Sequence, residues 1–263
     1  MKLQTALITG ASSGIGKALA RKFANRGYDI VIVARHESML EEVAAELSLY
    51  RDISVTVIAK DLTLESSAQE IYDELTARKI VIDVLVNDAG VGHRGVFHET
   101  DLQKSINIIR LNAEAVTRMT SLFLPDMVAR NSGKILNVGS VAGFEPGPLA
   151  AVYHASKAYV ISFTEALAEE LKDTDIQITV VCPGPTDTEF FRKAGMEDLK
   201  PIAKGAVMDA QEVANIGYEA LIRGELVVIP GSSNKSAAMS RRFSAVPIPP
   251  QNSRKYYEAA KHE

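Results

Sequence analysis

The sequence contains no tryptophan and a single cysteine, Cys182, among 263 residues. One thiol excludes an intrachain disulfide and any multi-thiolate metal site, and it fits a reducing compartment. No apolar run approaches the ~20 residues of a membrane span, and Met1 to Ile8 is too short before Gly10 for a signal peptide. Charge of one sign is not in excess either. Against 33 acidic residues stand 29 basic ones, and a net charge of −4 gives no reason to expect nucleic acid as a partner. Internal repeats and low-complexity linkers are missing. These absences leave a soluble, cytoplasmic protein without a metal as the expectation. What is plentiful is apolar material, at 46% of residues, enough for a large core.

That material is arranged in alternation. Short apolar runs at Ala6–Thr9, Asp29–Ala34, Val55–Ala59, Val81–Val86, Gly133–Ser140, Ile176–Cys182 and Leu226–Pro230 read as strands. Between them lie segments with helical spacing: 17–24, 38–49, 64–79, 102–130, 153–171 and 211–223. Strand–helix alternation of this kind predicts an α/β, doubly wound parallel sheet with helices on both faces. Cys182 at the end of the sixth strand reads as core.

The first strand runs into Thr9-Gly10-Ala11-Ser12-Ser13-Gly14-Ile15-Gly16, which opens a helix. Glycines there allow a tight turn and close approach of backbone N–H groups to a pyrophosphate, with the helix N-terminus adding partial positive charge. The second strand ends at Ala34-Arg35-His36, without the acid that would accept from the ribose hydroxyls of NAD. Arg35 suits a 2′-phosphate instead, which favours NADP over NAD, although Glu37 lies close and a solvated loop cation is the plain alternative. Asp61, just past the third strand, is placed either to accept from an adenine amino group or to cap the following helix. Asn112 is an unfavourable mid-helix residue and points to a kink or an inward polar role.

The chemistry concentrates further along. Tyr153 and Lys157 are four residues apart, hence one turn apart on one helix face, and Ser140 precedes them at a strand end. A fixed cation one turn away is expected to lower the phenol's pKa and suit it to proton transfer near neutrality. Pro183-Gly184-Pro185-Thr186-Asp187-Thr188 crosses the carboxyl edge of the sheet, where ligands sit in such folds. Residues 189–205 read as a lid or a plain surface helix pair. With 141–150 they offer Phe144, Leu149, Phe190, Phe191 and Met196 for a partly apolar ketone or alcohol. The chain divides into one domain over 1–230, lid at about 186–205 included, and a 231–263 extension. Its last 29 residues carry six basic side chains (Lys235, Arg241, Arg242, Arg254, Lys255, Lys261) against two acidic ones.

Taken in order, Thr9-Gly10-x-x-x-Gly14-x-Gly16, Asn87-x-Ala89-Gly90, Asn112, Ser140, Tyr153-x-x-x-Lys157 and Pro183-Gly184 resemble the short-chain dehydrogenase/reductase family over roughly residues 3–230. The resemblance implies a Rossmann-type fold with a seven-stranded parallel sheet and NAD(P)-dependent oxidoreduction of an alcohol–carbonyl pair. It further implies Tyr153 as acid/base, Lys157 on the nicotinamide ribose, Ser140 on the substrate oxygen and Asn112 in a water-linked proton relay. Asp61 and Leu62 would contact adenine, Asn87, Ala89 and Gly90 the adenosine side, and Thr188 the nicotinamide amide. A homodimer or homotetramer is expected on the same ground. Asp88 departs from the family's second Asn in Asn-Asn-Ala-Gly. Two other functions share features with this pattern. A sugar-nucleotide epimerase or dehydratase would have a larger carboxyl-terminal substrate domain, and a non-catalytic NADP sensor could lose Tyr153, Lys157 or Ser140.

Overall fold

The computed structural model describes residues 3–50, 52–196, 198–199, 207–242, 254 and 257, with backbone alone at 237 and 239–242. Seven strands form one parallel sheet: β1 (Thr5–Thr9), β2 (Asp29–Ala34), β3 (Val55–Ala59), β4 (Val84–Asn87), β5 (Gly133–Val138), β6 (Ile176–Val181) and β7 (Val227–Val228). Their spatial order is β3-β2-β1-β4-β5-β6-β7. The sheet therefore reverses direction of growth between β1 and β4, and a crevice opens beyond the carboxyl ends of those two strands.

Burial on both faces explains the near-continuous apolar strands. Along β1, Ala6 and Ile8 face one layer and Leu7 the other. The first layer holds α1 (Gly14–Asn25), α2 (Glu37–Leu47) and α8 (Ala210–Arg223), through Leu19, Phe23, Leu40, Leu47, Val213 and Leu221. The second holds α3 (Ser67–Ala77) and α5 (Ala115–Ala129), through Ile71, Leu75, Met119, Phe123 and Met127. Each such fully buried side chain contributes roughly 1.5–3 kcal/mol relative to exposure, an amount offset by ordering entropy. Helix α6 (Ala151–Glu170) packs against β5 and β6 with Val160 and Ile161 beside Cys182, which is core as expected.

Three elements differ from the sequence expectation. The 102–130 helix is divided into α4 (Leu102–Ile109), a π-helical turn (Arg110–Glu114) and α5. β4 starts at Val84 rather than Val81, and just before it the Asp83 carboxylate accepts the Thr5 N–H (2.8 Å) at the strand's mouth. β7 has two residues, not five, and Pro230 has no N–H to extend its ladder. The short α7 (Glu189–Lys193) begins the expected lid, and α9 (Ser232–Arg242) begins the extension. Within the extension Lys235 and Arg254 are exposed. Lys255, Lys261, residues 200–206 of the lid and the side chains of Arg241 and Arg242 lie outside the described residues.

Candidate active site

A cavity of about 440 Å³ occupies the crevice and runs from the end of β2 to the lid helix α7. Its wall begins with the β1–α1 turn, where Gly10, Ser12, Ser13, Gly14 and Ile15 face the space. Arg35 and His36 stand at one end. Arg35 is exposed and lacks an ion-pair partner among the described residues, whereas nearby Lys60 is tied to Glu70. Leu62, Ala89, Gly90, Pro183, Gly184, Thr186 and Thr188 continue the wall as expected.

At the other end Ser140, Tyr153 and Lys157 converge. Ser140 caps a 3₁₀ turn (Val141–Phe144), its hydroxyl accepting from Ala142 N (3.1 Å), and it hydrogen-bonds the Tyr153 phenol. The turn lies directly on α6. A Cβ on Gly143 would come within 2.6 Å of Ile161 Cδ1 and 2.8 Å of the Lys157 backbone, so only glycine permits that approach. Lys157 Nζ donates to Val138 O (2.7 Å) and lies 6.0 Å from the centre of the Tyr153 ring. The lowering of the phenol's pKa expected from Lys157 is not found. Desolvation dominates and, against the Ser140 hydrogen bond, pushes Tyr153 up to about 12. Burial likewise pushes the Lys157 ammonium down, with Asp88 opposing.

Five of the expected site residues act beneath the cavity wall rather than on it. Thr9 Oγ1 accepts from Asp88 N and Ala89 N (both 3.1 Å), clamping the end of β4 to β1. Asn87 is buried and donates to Asn137 Oδ1 (2.9 Å) and Thr120 Oγ1 (3.3 Å), a network tying β4, β5 and α5. Asp61 stands in the turn ahead of α3. Its carboxylate accepts from Thr63 N (3.0 Å) and Thr63 Oγ1 (2.8 Å), closing a turn ahead of α3. Gly16 faces Asp88 and Gly10. Asn112, at the π turn, is both a kink and an inward polar group. Its Nδ2 donates to Val91 O (2.9 Å) and Ser156 Oγ (3.0 Å), and its Oδ1 accepts from Val91 N (2.9 Å). It thereby fixes the loop carrying Val91, which lines the cavity.

Of the five apolar residues expected around a substrate, Phe190, Phe191 and Met196 line the cavity. Phe144 and Leu149 do not; Phe144 packs against the cluster of Val116, Val160, Ile161, Val180 and Cys182, and Leu149 against that of Ala150, Ala194, Met196, Leu199 and Tyr257. Sequence reading missed His154 and Tyr257, which line it too. His154 Nδ1 lies 2.8 Å from Glu145 O and Nε2 2.7 Å from the Tyr257 hydroxyl. A carbonyl only accepts, so Nδ1 carries the proton, and in the neutral ring the phenol donates to Nε2. No sequence signal joins residues separated by 103 positions.

The cavity is large enough for a cofactor. A glycine turn at a helix N-terminus, an arginine unpaired among the described residues at one end and a Tyr–Ser–Lys group at the other fit a nicotinamide dinucleotide. The short chain dehydrogenase family model matches residues 4–230. The chain belongs to the short-chain dehydrogenases. As a member of that family it is an NAD(P)-dependent oxidoreductase. An uncharacterised oxidoreductase of Staphylococcus epidermidis is 31% identical over 210 residues, covering 80% of this chain and 90% of the relative. Among solved structures, a short-chain dehydrogenase from Sphingobium yanoikuyae in complex with NADPH aligns with a TM-score of 0.81 and 31% identity, covering 99% of this chain and 100% of that one. A bulky-bulky ketone specific alcohol dehydrogenase from Comamonas testosteroni aligns at 0.78 and 32%, covering 92% and 93%. The seven-stranded Rossmann-type sheet expected of a short-chain dehydrogenase is present. Among the described residues no helix is long and apolar enough to cross a membrane.

Proposed function

We propose that this short-chain dehydrogenase prefers NADP(H) and moves hydride between the nicotinamide and a ketone, aldehyde or secondary alcohol, with Tyr153 as acid/base. The observation that carries the reading is the convergence of Tyr153, Ser140 and Lys157 on one end of a cavity whose side wall is the glycine turn. The nicotinamide, when bound, supplies or accepts the hydride. Everything else falls to the chain. Ser140 holds the substrate oxygen, Tyr153 delivers the proton to it, and both stabilise the alkoxide character that hydride transfer creates. Lys157 holds the ribose hydroxyls, exchanging its present bond to Val138 O. A phenol at about 12 is protonated at neutral pH, which suits it to carbonyl reduction, the direction that consumes that proton.

Support for NADP comes from Arg35, whose guanidinium is unpaired among the described residues at the adenosine end, where β2 provides no acid. The NADPH complex of the Sphingobium relative points the same way. Phe190, Phe191, Met196 and Tyr257 favour a bulky, largely apolar carbonyl compound, in keeping with the ketone named for the Comamonas enzyme. The working unit is a dinucleotide-binding domain over 1–230 with the 231–263 extension adding Tyr257 to its substrate end, in a homodimer or homotetramer.

Parallel titrations with NADPH and NADH, exciting the reduced nicotinamide directly, test the reading. NADPH is expected to bind more tightly. Arg35→Ala should weaken NADPH by roughly ten- to a hundredfold, the worth of one charge-assisted hydrogen bond, and leave NADH nearly unchanged. Equal affinities that ignore Arg35→Ala would remove the NADP preference. Binding of neither nucleotide would end the oxidoreductase reading.

A further inference from the structure

Asp88, where the family motif has a second Asn, lies under the pyrophosphate turn. Its main-chain N–H is held by Thr9 Oγ1, and its side chain reaches across to α1, where the carboxylate accepts the Gly16 N–H. A Cβ on Gly16 would come within 2.5 Å of Asp88 Oδ2, and one on Gly10 within 3.1 Å, so this notch in the glycine turn is filled by Asp88. Helix α1 has no acidic residue in its first turn, and Ser13 makes no side-chain cap. Asp88 thus supplies from a neighbouring strand the anion that a helix N-terminus attracts. Those amino-terminal N–H groups are also where a dinucleotide pyrophosphate would settle, and Asp88 lines the same cavity. Two anions are directed to one helix end.

We propose that nucleotide binding by this chain is coupled to proton uptake on Asp88, so that affinity falls as pH rises through neutrality. The inference rests on the dinucleotide reading above. Desolvation already holds the carboxyl well above the usual carboxylate range, with Lys157 and the Gly16 N–H opposing. Among the described residues the titratable groups acting on this corner are Lys157 and Tyr153 from α6 and, through them, Cys182 at the end of β6. An arriving pyrophosphate adds negative charge and raises the carboxyl's pKa further. Affinity is then fully present below the free-state pKa of Asp88 and declines above it by about tenfold per pH unit until the bound-state pKa is reached.

The experiment is isothermal titration of wild type and Asp88→Asn with NADPH from pH 6.5 to 9, in two buffers of different ionisation enthalpy. Comparison at equal pH cancels protons taken up by the 2′-phosphate, whose second pKa is about 6. Between the free-state and bound-state pKa values of Asp88 the wild type should take up as much as one proton more than the variant. The variant should bind more tightly, with an advantage that grows about tenfold per pH unit. Equal proton counts and parallel pH profiles would overturn the coupling and assign any shared uptake beyond that of the 2′-phosphate to Lys157. Should Asp88→Asn fail to fold, infrared difference spectra of the wild type decide. A protonated-carboxyl band appearing on NADPH addition supports the coupling, and its absence overturns it. Failure to bind NADPH or NADH at any pH would overturn the dinucleotide reading itself, a result distinct from binding without proton uptake.

Discussion

At the residue scale, Tyr153 and Lys157 stand where their four-residue spacing places them, but their electrostatics do not follow from spacing. The sequence conveys that a cation lies one turn from a phenol. It does not convey that Nζ is turned to Val138 O, or that the surrounding protein desolvates the hydroxyl enough to outweigh any attraction. Tyr153→Phe removes the transferable proton and one hydroxyl while leaving ring packing against Phe190 intact. Turnover should fall by at least about 10²–10⁴-fold, the usual worth of a positioned acid, while NADPH affinity changes only a few-fold. Steady-state rates with a ketone panel beside a nucleotide titration read both quantities. Retained turnover would remove Tyr153 from the chemistry.

At the scale of elements, periodicity located nearly every strand and helix, since each buries one face or both against its neighbours. What it could not resolve were places where a side chain outcompetes the backbone pattern. Asn112 flagged the interruption of the 102–130 helix, yet the π turn itself and the grip on Val91 and Ser156 arise from groups far away in sequence. Thr9 and Asn87 carry motif positions, and the bonds they make to Asp88, Ala89, Asn137 and Thr120 join residues far apart in sequence that no motif spacing links. A second tertiary feature invisible to periodicity joins α1 to α8. Phe23 meets Tyr28 and Tyr218 edge-on at 5.1 and 5.0 Å, while Lys22 and Arg26 share Glu219 at 3.1 Å. Burial is the main cause holding Tyr28 at about 12, above its ordinary value near 10. A tyrosine with a raised folded-state pKa contributes stability that is complete below pH ~10 and is lost as pH climbs through 12. Urea midpoints measured from pH 9 to 12 should therefore fall, and fall less steeply in Tyr28→Phe. Parallel slopes would show that Tyr28 ionises alike in both states.

At the scale of the whole molecule, a parallel doubly wound sheet follows from the alternation of elements, whereas the strand order that opens the crevice and the surface left over do not. Ile109 is 46% exposed and Tyr159 41%, and with Ala113, Val152 and Ala155 they border an apolar groove of about 410 Å³ between α4 and α6. The groove lies on the outer side of the helix that carries Tyr153 and Lys157. Tyr159 is fixed in place by its hydroxyl on Thr117 Oγ1 (2.7 Å) and by stacking on Phe163. A rigid apolar face of this kind suits pairing with a second copy, the assembly proposed above. Ile109→Glu puts a carboxylate on that face, and desolvating it would cost several kcal/mol at a buried interface. Light scattering behind a sizing column should show wild type at a multiple of 28.5 kDa and Ile109→Glu at the monomer mass. Because α6 forms one wall of the groove and one wall of the site, the monomer should retain nucleotide binding and lose part of its turnover. A variant that remains oligomeric, or a wild type that runs as a monomer at every concentration, would assign the groove no part in assembly.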